Sequence, residues 1–190
     1  MSDALIPPPD RPQGVPWPTV EWATAPVPPA VEALVADMFE QPERYGTTYA
    51  VAVVQGGRLL HDRYGGELPS FTHAPTPVRP DTPLLSWSVA KSVLHAAVGI
   101  LVGDGLLHPS APAPVPAWDD DERAAITLEE LLEMRDGLQW SEDYADAGVS
   151  DVIEMLFRSG SSGVVAFAAA RPPEHAPGSG FNYSSGTSDI

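Results

Sequence analysis

The chain has 190 residues, no cysteine, and 26 acidic against 10 basic residues for a net charge of −16. That length makes one ordinary domain or part of a larger one. The missing cysteines exclude a disulfide framework and a thiolate metal site, and the acidity argues against nucleic acid or anionic membrane partners, which are held by basic patches. His61, His73, His95, His108 and His175 share neither an i, i+4 spacing nor a short loop cluster, so no metal is expected. The N-terminus MSDALIPPPDRP has no basic segment followed by an apolar run, and no later stretch reaches the length of a membrane span. As written, the chain reads as cytoplasmic.

Residues 1–29 are dense in proline, carry Trp17 and Trp22 and show no periodicity, which predicts an irregular arm partly docked over a core. Residues 30–190 read as one incomplete domain, with a first helix and hairpin over 30–65 and a helical lobe over 84–190. From Pro29, the residues Val31, Leu34, Val35, Met38 and Phe39 mark one helical face, and Pro42 closes the helix. Tyr49 to Val54 is apolar without alternation, as expected of a strand buried on both faces. Gly56-Gly57 can take the positive φ angles of a tight hairpin turn, returning a second strand from Leu59 to Tyr64. Pro69 to Pro83 reads as a loop.

The segment SWSVAKSVLHAAVGILVGDGLL is apolar almost all round between Ser88 and Val102, which predicts a helix buried on most of its circumference. Ser88, Lys91, Ser92 and His95 fall at i, i+3, i+4 and i+7 and form a single polar stripe. Buried, hydrogen-bonded roles are expected for Ser92 and His95. Gly103-Asp104-Gly105 ends the helix. Thr127 and Glu130 spell a capping box for a short helix stopping at Asp136-Gly137. A further helix is expected from Asp151 to Arg158, followed by an Ala-rich apolar stretch. A helix, a hairpin and then mostly helices make an α+β chain.

Lys91 is the sole lysine, and the other nine basic residues are arginine. A guanidinium cannot give up its proton in a protein, whereas burial can push an amine down from about 10.4 until it serves as a base. At i+3 the amine can reach the hydroxyl of Ser88, the requirement for a base acting on a nucleophile. Unpaired N–H groups of the first helical turn would favour a developing oxyanion at Ser88. The plainer readings are Ser88 as a helix N-cap and Lys91 as a lysine snorkelling to water. Ser86 can cap equally well, which frees Ser88.

The run S-W-S-V-A-K-S resembles the first motif of the serine β-lactamases and penicillin-binding proteins, and F-N-Y-S-S-G the Tyr-x-Asn or Tyr-x-Ser second motif of their class C-like branch. TLEELLEMRDGLQWSEDY between them is similar to the same branch, particularly family VIII carboxylesterases and 6-aminohexanoate-oligomer hydrolases. The resemblance covers residues 47–190. It implies an antiparallel sheet flanked by helices plus a helical lobe, no cofactor, and a small-molecule ester or amide substrate cleaved through an acyl-enzyme. Carried over, Ser88 is the nucleophile, Lys91 its proton acceptor and Tyr183 the relay to the leaving group. Ser185 stands where many relatives have a substrate-positioning asparagine, and Trp140 and Tyr144 resemble wall residues of the acyl pocket.

Ser188-Asp189-Ile190 matches the class A Ser-Asp-Asn motif only in part. The third motif, Lys-Thr-Gly or a His/Trp-x-Gly variant, is absent, so these 190 residues alone are expected to be inactive and poorly folded, a lone hairpin being marginal in water. β-Lactamase or D-Ala-D-Ala peptidase activity is the alternative within the class, and a non-catalytic relative with a binding role the alternative outside it. The oligomeric state is not legible.

Overall fold

The computed structural model describes residues 12–72, 74–145, 148 and 150–190. The first eleven residues of the arm, and His73, lie outside the described residues. The chain forms two compact units, Met1–Leu84 and Leu85–Ile190.

In the first unit, Pro28-Pro29 opens helix α1 (Pro29–Glu40). A proline at the first helical position loses no hydrogen bond, because the amides of the first turn have no intrahelical partner. Helix α1 ends at Glu40, just ahead of Pro42, and Pro42 then starts the short α2 (Pro42–Tyr45). Val35, at 2 % exposure, anchors α1. Strands β1 (Ala50–Gln55) and β2 (Arg58–Tyr64) pair antiparallel through Gly56 and Gly57, whose φ angles of 57° and 70° suit a two-residue turn. Val53 faces His61 while Val54 faces Leu59, a bulge that leaves Leu60 extra. Arg63 lies over the Phe39 ring, 4.5 Å from its centre, and ties β2 to α1.

The expectation that β1 is buried on both faces does not hold. Its residues alternate between exposed and half-buried as far as Val53, and Val54 is exposed. With β2 as its single partner among the described residues, the ladder leaves a face uncovered. The arm docks along this hairpin: Thr24 bridges Leu59, whose amide donates to the Ala23 carbonyl at 2.9 Å, and Val15 is buried with its side chain close to Gly57. The stretch read as a proline-rich loop contains half of a second ladder, β3 (Glu67–Leu68) against β4 (Thr76–Pro77).

The second unit contains α3 (Val89–Gly103), α4 (Leu128–Leu132), α5 (Asp151–Phe157), α6 (Val164–Ala169) and α7 (Ser185–Asp189). The capping box forms as the sequence predicts: Thr127 Oγ1 accepts from the Glu130 amide, and Glu130 accepts from the Thr127 amide. The helix it starts is shorter than expected, because Met134 takes φ 55° and turns the chain. Gly137 is required for two reasons. Its φ is 77°, and a Cβ there would meet the His175 carbonyl, since the Glu174 and His175 amides both donate to the Gly137 carbonyl.

Two apolar clusters make the core of this unit. Trp118, Ile126, Leu138 and Ala169 form one, Trp140, Val152, Met155 and Ala168 the other, and Ile190 packs against both. Full burial of side chains such as Val152 and Met155 contributes about 1.5–3 kcal/mol each. The Ala169 carbonyl at the end of α6 accepts from Trp118 Nε1 at 2.8 Å and from Arg123 at 2.7 Å, which satisfies a group that a helix end leaves orphaned.

Helix α3 departs most from expectation, because none of its residues is buried and Ser92 and His95 are both exposed. Its apolar circumference is real in sequence but is not covered by the described residues. No helix among them is long and apolar enough to cross a membrane.

Candidate active site

The turn into α3 is tight. The amides of Val89, Ala90 and Lys91 donate to the carbonyls of Ser86, Trp87 and Ser88, each three residues back. Trp87 is held at φ 44°, a conformation that strains a bulky residue by about 1–3 kcal/mol. These bonds already engage the first-turn N–H groups that the sequence reading assigned to an oxyanion. Neither serine caps the helix. The Ser88 side chain makes no cap bond, and the Ser86 hydroxyl points to the Trp87 carbonyl at 3.4 Å. Ser88 therefore presents an exposed hydroxyl at the head of the helix.

A second local turn supplies its partner. The buried Ser184 caps α7 by accepting from the Thr187 amide at 2.9 Å, which turns its own side chain inward between Tyr183 and Ser185. Thr187 in turn donates to the buried Asp136 at 2.6 Å. Ahead of them, the Asn182 side chain donates to the Trp140 carbonyl and its amide to the Met134 carbonyl. With the backbone pinned on both sides, the Tyr183 hydroxyl donates to Ser88 Oγ at 2.7 Å.

Lys91 lies beside this pair, with its ammonium 5.4 Å from the centre of the Tyr183 ring. Its hydrogen bond goes to Ser185 Oγ at 3.2 Å and not to Ser88. The burial expected around it is also missing, since α3 is uncovered and Lys91 is only half-buried.

Ser185 leads to a residue that the sequence reading missed. Among the described residues the Glu142 carboxylate accepts four hydrogen bonds, two on each oxygen: the Ser185 amide at 2.7 Å and Trp140 Nε1 at 3.0 Å on Oε2, the Tyr144 hydroxyl at 2.8 Å and the Ser185 hydroxyl at 2.9 Å on Oε1. Partial burial alone would raise its pKa. The Ser185 amide, the Trp140 indole and the hydroxyls of Tyr144 and Ser185 outweigh that and hold it below the usual carboxylate range. Asp151 fixes the approach of this segment, accepting from the Ser141 amide while its own amide donates to the Ser141 carbonyl, both at 2.8 Å.

The two residues read as pocket walls differ in setting. Tyr144 is exposed. Trp140 is buried, with Gly186 against its ring and Phe167 edge-on at 6.4 Å.

The family model for Beta-lactamase matches residues 31–190. The chain belongs to the beta-lactamase family. Among solved structures, this beta-lactamase-family chain is similar to a Bacillus anthracis protein assigned as a 6-aminohexanoate-dimer hydrolase, at 17 % identity and a TM-score of 0.59. The match covers 83 % of this chain and 40 % of that one, so the chain spans less than half the length of the relative, and the likeness extends to the α+β fold. No curated protein sequence matches. The motifs singled out in the sequence contain Ser88, Lys91 and Tyr183 but did not point to Glu142. The one sequence signal for Glu142 was its place two residues from both Trp140 and Tyr144.

Proposed function

We propose that the protein is a serine hydrolase that cleaves an ester or small amide through an acyl-enzyme on Ser88. The observation that carries this reading is the 2.7 Å hydrogen bond from the Tyr183 hydroxyl to an exposed serine hydroxyl that caps no helix. In the proposed reaction Lys91 turns its amine to Ser88, one helical turn away on the same face, and takes the Oγ proton. Oγ attacks the carbonyl carbon, and the C–O or C–N bond to the leaving group breaks as Tyr183 passes it a proton, which the Lys91 ammonium replaces on the phenol. Water then cleaves the acyl ester and restores Ser88. Ser185 and Tyr144 border the substrate in this reading, and Trp140 supports them from below.

Residues 1–190 contain no Lys-Thr-Gly or His/Trp-x-Gly strand, and turnover by these residues alone is expected to stay at the level of a Ser88→Ala control. Covalent labelling by a fluorophosphonate asks less, because it needs only an activated nucleophile. Labelling of the wild type and not of Ser88→Ala is the expected result. Equal labelling of the two would reduce the chain to a non-catalytic relative. A stable adduct with labelled penicillin, together with no reaction toward acyl esters, would move the reading to a β-lactamase or D-Ala-D-Ala peptidase.

A further inference from the structure

Lys91 can act as a base only if its lone pair is not already occupied, and Ser185, its hydrogen-bond partner among the described residues, is a hydroxyl that can either donate or accept. Were Ser185 to donate its proton to a neutral Lys91 amine, the lone pair would be consumed and Ser88 could not use it. Glu142 settles the direction. An ionised carboxylate accepts only, and Glu142 Oε1 lies 2.9 Å from Ser185 Oγ. The hydroxyl has a single proton, and the carboxylate takes it. What Ser185 then offers Lys91 is a lone pair, to which the amine donates an N–H at 3.2 Å.

We infer that Glu142 is a positioning residue: by claiming the only proton of Ser185, it makes Lys91 a donor toward Ser185 and keeps the Lys91 lone pair free for the Ser88 proton. This rests on the reading of Ser88 as nucleophile and Lys91 as base. The other three bonds to Glu142 serve the same end. The Ser185 amide holds the serine against the carboxylate, and Trp140 Nε1 and the Tyr144 hydroxyl hold the carboxylate itself, leaving its oxygens no freedom to swing away. Burial of Trp140 under Gly186 fixes the indole that does part of this.

The test is the fluorophosphonate labelling rate of Ser88, followed against pH, in wild type, Glu142→Gln, Ser185→Ala and the double variant. The Oε2 position faces two N–H donors that cannot reverse, so a glutamine keeps its oxygen there and turns its NH2 to the Ser185 hydroxyl, which releases the Ser185 proton toward Lys91. Glu142→Gln is expected to label about tenfold more slowly, the worth of one hydrogen bond that must be broken first. Its pH profile is expected to shift. On the Ser185→Ala background no competing proton exists, so adding Glu142→Gln there is expected to slow labelling far less than the tenfold it costs in wild type, which a merely structural role for Glu142 would not produce. Asp189, which acts electrostatically on both Lys91 and Glu142, and Tyr183 and Tyr144 are unchanged in all four proteins.

A Glu142→Gln loss as large on the Ser185→Ala background as in wild type, or a Glu142→Gln profile identical to wild type, overturns the inference. An unlabelled wild type overturns it together with the function it rests on, so the two failures are distinguishable. If Glu142→Gln does not fold, Glu142→Ala, which also removes the acceptor, is compared on the wild-type and Ser185→Ala backgrounds and read by the same two outcomes.

Discussion

The Tyr183 hydroxyl and Ser88 Oγ, 95 positions apart in sequence, meet in a 2.7 Å hydrogen bond. Removing the phenolic oxygen with Tyr183→Phe deletes that bond and little else, because the side chain is already more than a third exposed. Proton transfer by a positioned side chain is worth about 100-fold to 10,000-fold. The labelling rate of Ser88 is therefore expected to fall by at least about 100-fold, with the melting temperature nearly unchanged. Retention of a tenth of the rate in the folded variant would remove Tyr183 from the mechanism.

Lys91→Arg keeps the charge and the capacity to donate to Ser185 but cannot deprotonate. If Lys91 were only a cation beside the Tyr183 ring, arginine would serve and the loss would be small. As a base it cannot be replaced, and labelling is expected to drop by about 100-fold or more. Lys91→Ala, which leaves space and no base, controls for the bulk of arginine and is expected to be equally slow.

Glu142 also gives the fold a pH dependence. Its carboxyl is held below its ordinary 4.5, so the folded state binds its proton less readily than the unfolded chain. The stability it contributes is therefore fully present above pH 4.5 and is lost as pH falls through the lowered value. Asp189 works in the opposite sense, because partial loss of hydration raises it above 3.8, with Lys91 lowering it and Glu142 raising it further. Melting curves of wild type and Glu142→Gln, measured from pH 7 downward, cancel the Asp189 contribution to first order. The wild-type advantage at pH 7 is expected to shrink below pH 4.5. A constant difference across that window would contradict the assignment.

Gly186 is the contact through which α7 rests on Trp140, and a Cβ there would come within 2.5 Å of the indole ring. Gly186→Ala must push the ring or the helix, at a cost of about 1–3 kcal/mol for overpacking. Urea denaturation would show a lowered midpoint at an unchanged slope. Because the displaced indole also bonds Glu142, Ser88 labelling should slow in the same variant, whereas an unchanged midpoint would mean that α7 is not seated on Trp140.

The parts of this fold written in local chemistry were legible in the sequence. The Gly56-Gly57 turn, the capping box of Thr127 and Glu130, and proline at the start of α1 each depend on neighbours within a few residues. Burial was not legible in the same way. An apolar run records that a surface wants covering, as along α3 and β1, but does not say whether the described residues cover it. Ser88, Lys91 and Tyr183 stood out by motif, while Glu142 did not, because its role comes from four donors, of which the Ser185 amide and hydroxyl lie 43 residues away. The direction of the Lys91 bond was hidden for the same reason. Helical spacing alone placed the amine near Ser88, and only the folded turn at Ser185 shows what it bonds instead.

The central claim is that Ser88 is the nucleophile, and peptide mapping by mass spectrometry after a short exposure to a fluorophosphonate tests it most directly. A single phosphonyl adduct on the peptide bearing Ser88, absent from Ser88→Ala and strongly diminished in Lys91→Arg, is the predicted result. An adduct on Ser86, Ser92 or Ser185 in its place, or an unmodified Ser88 in folded protein, would contradict it.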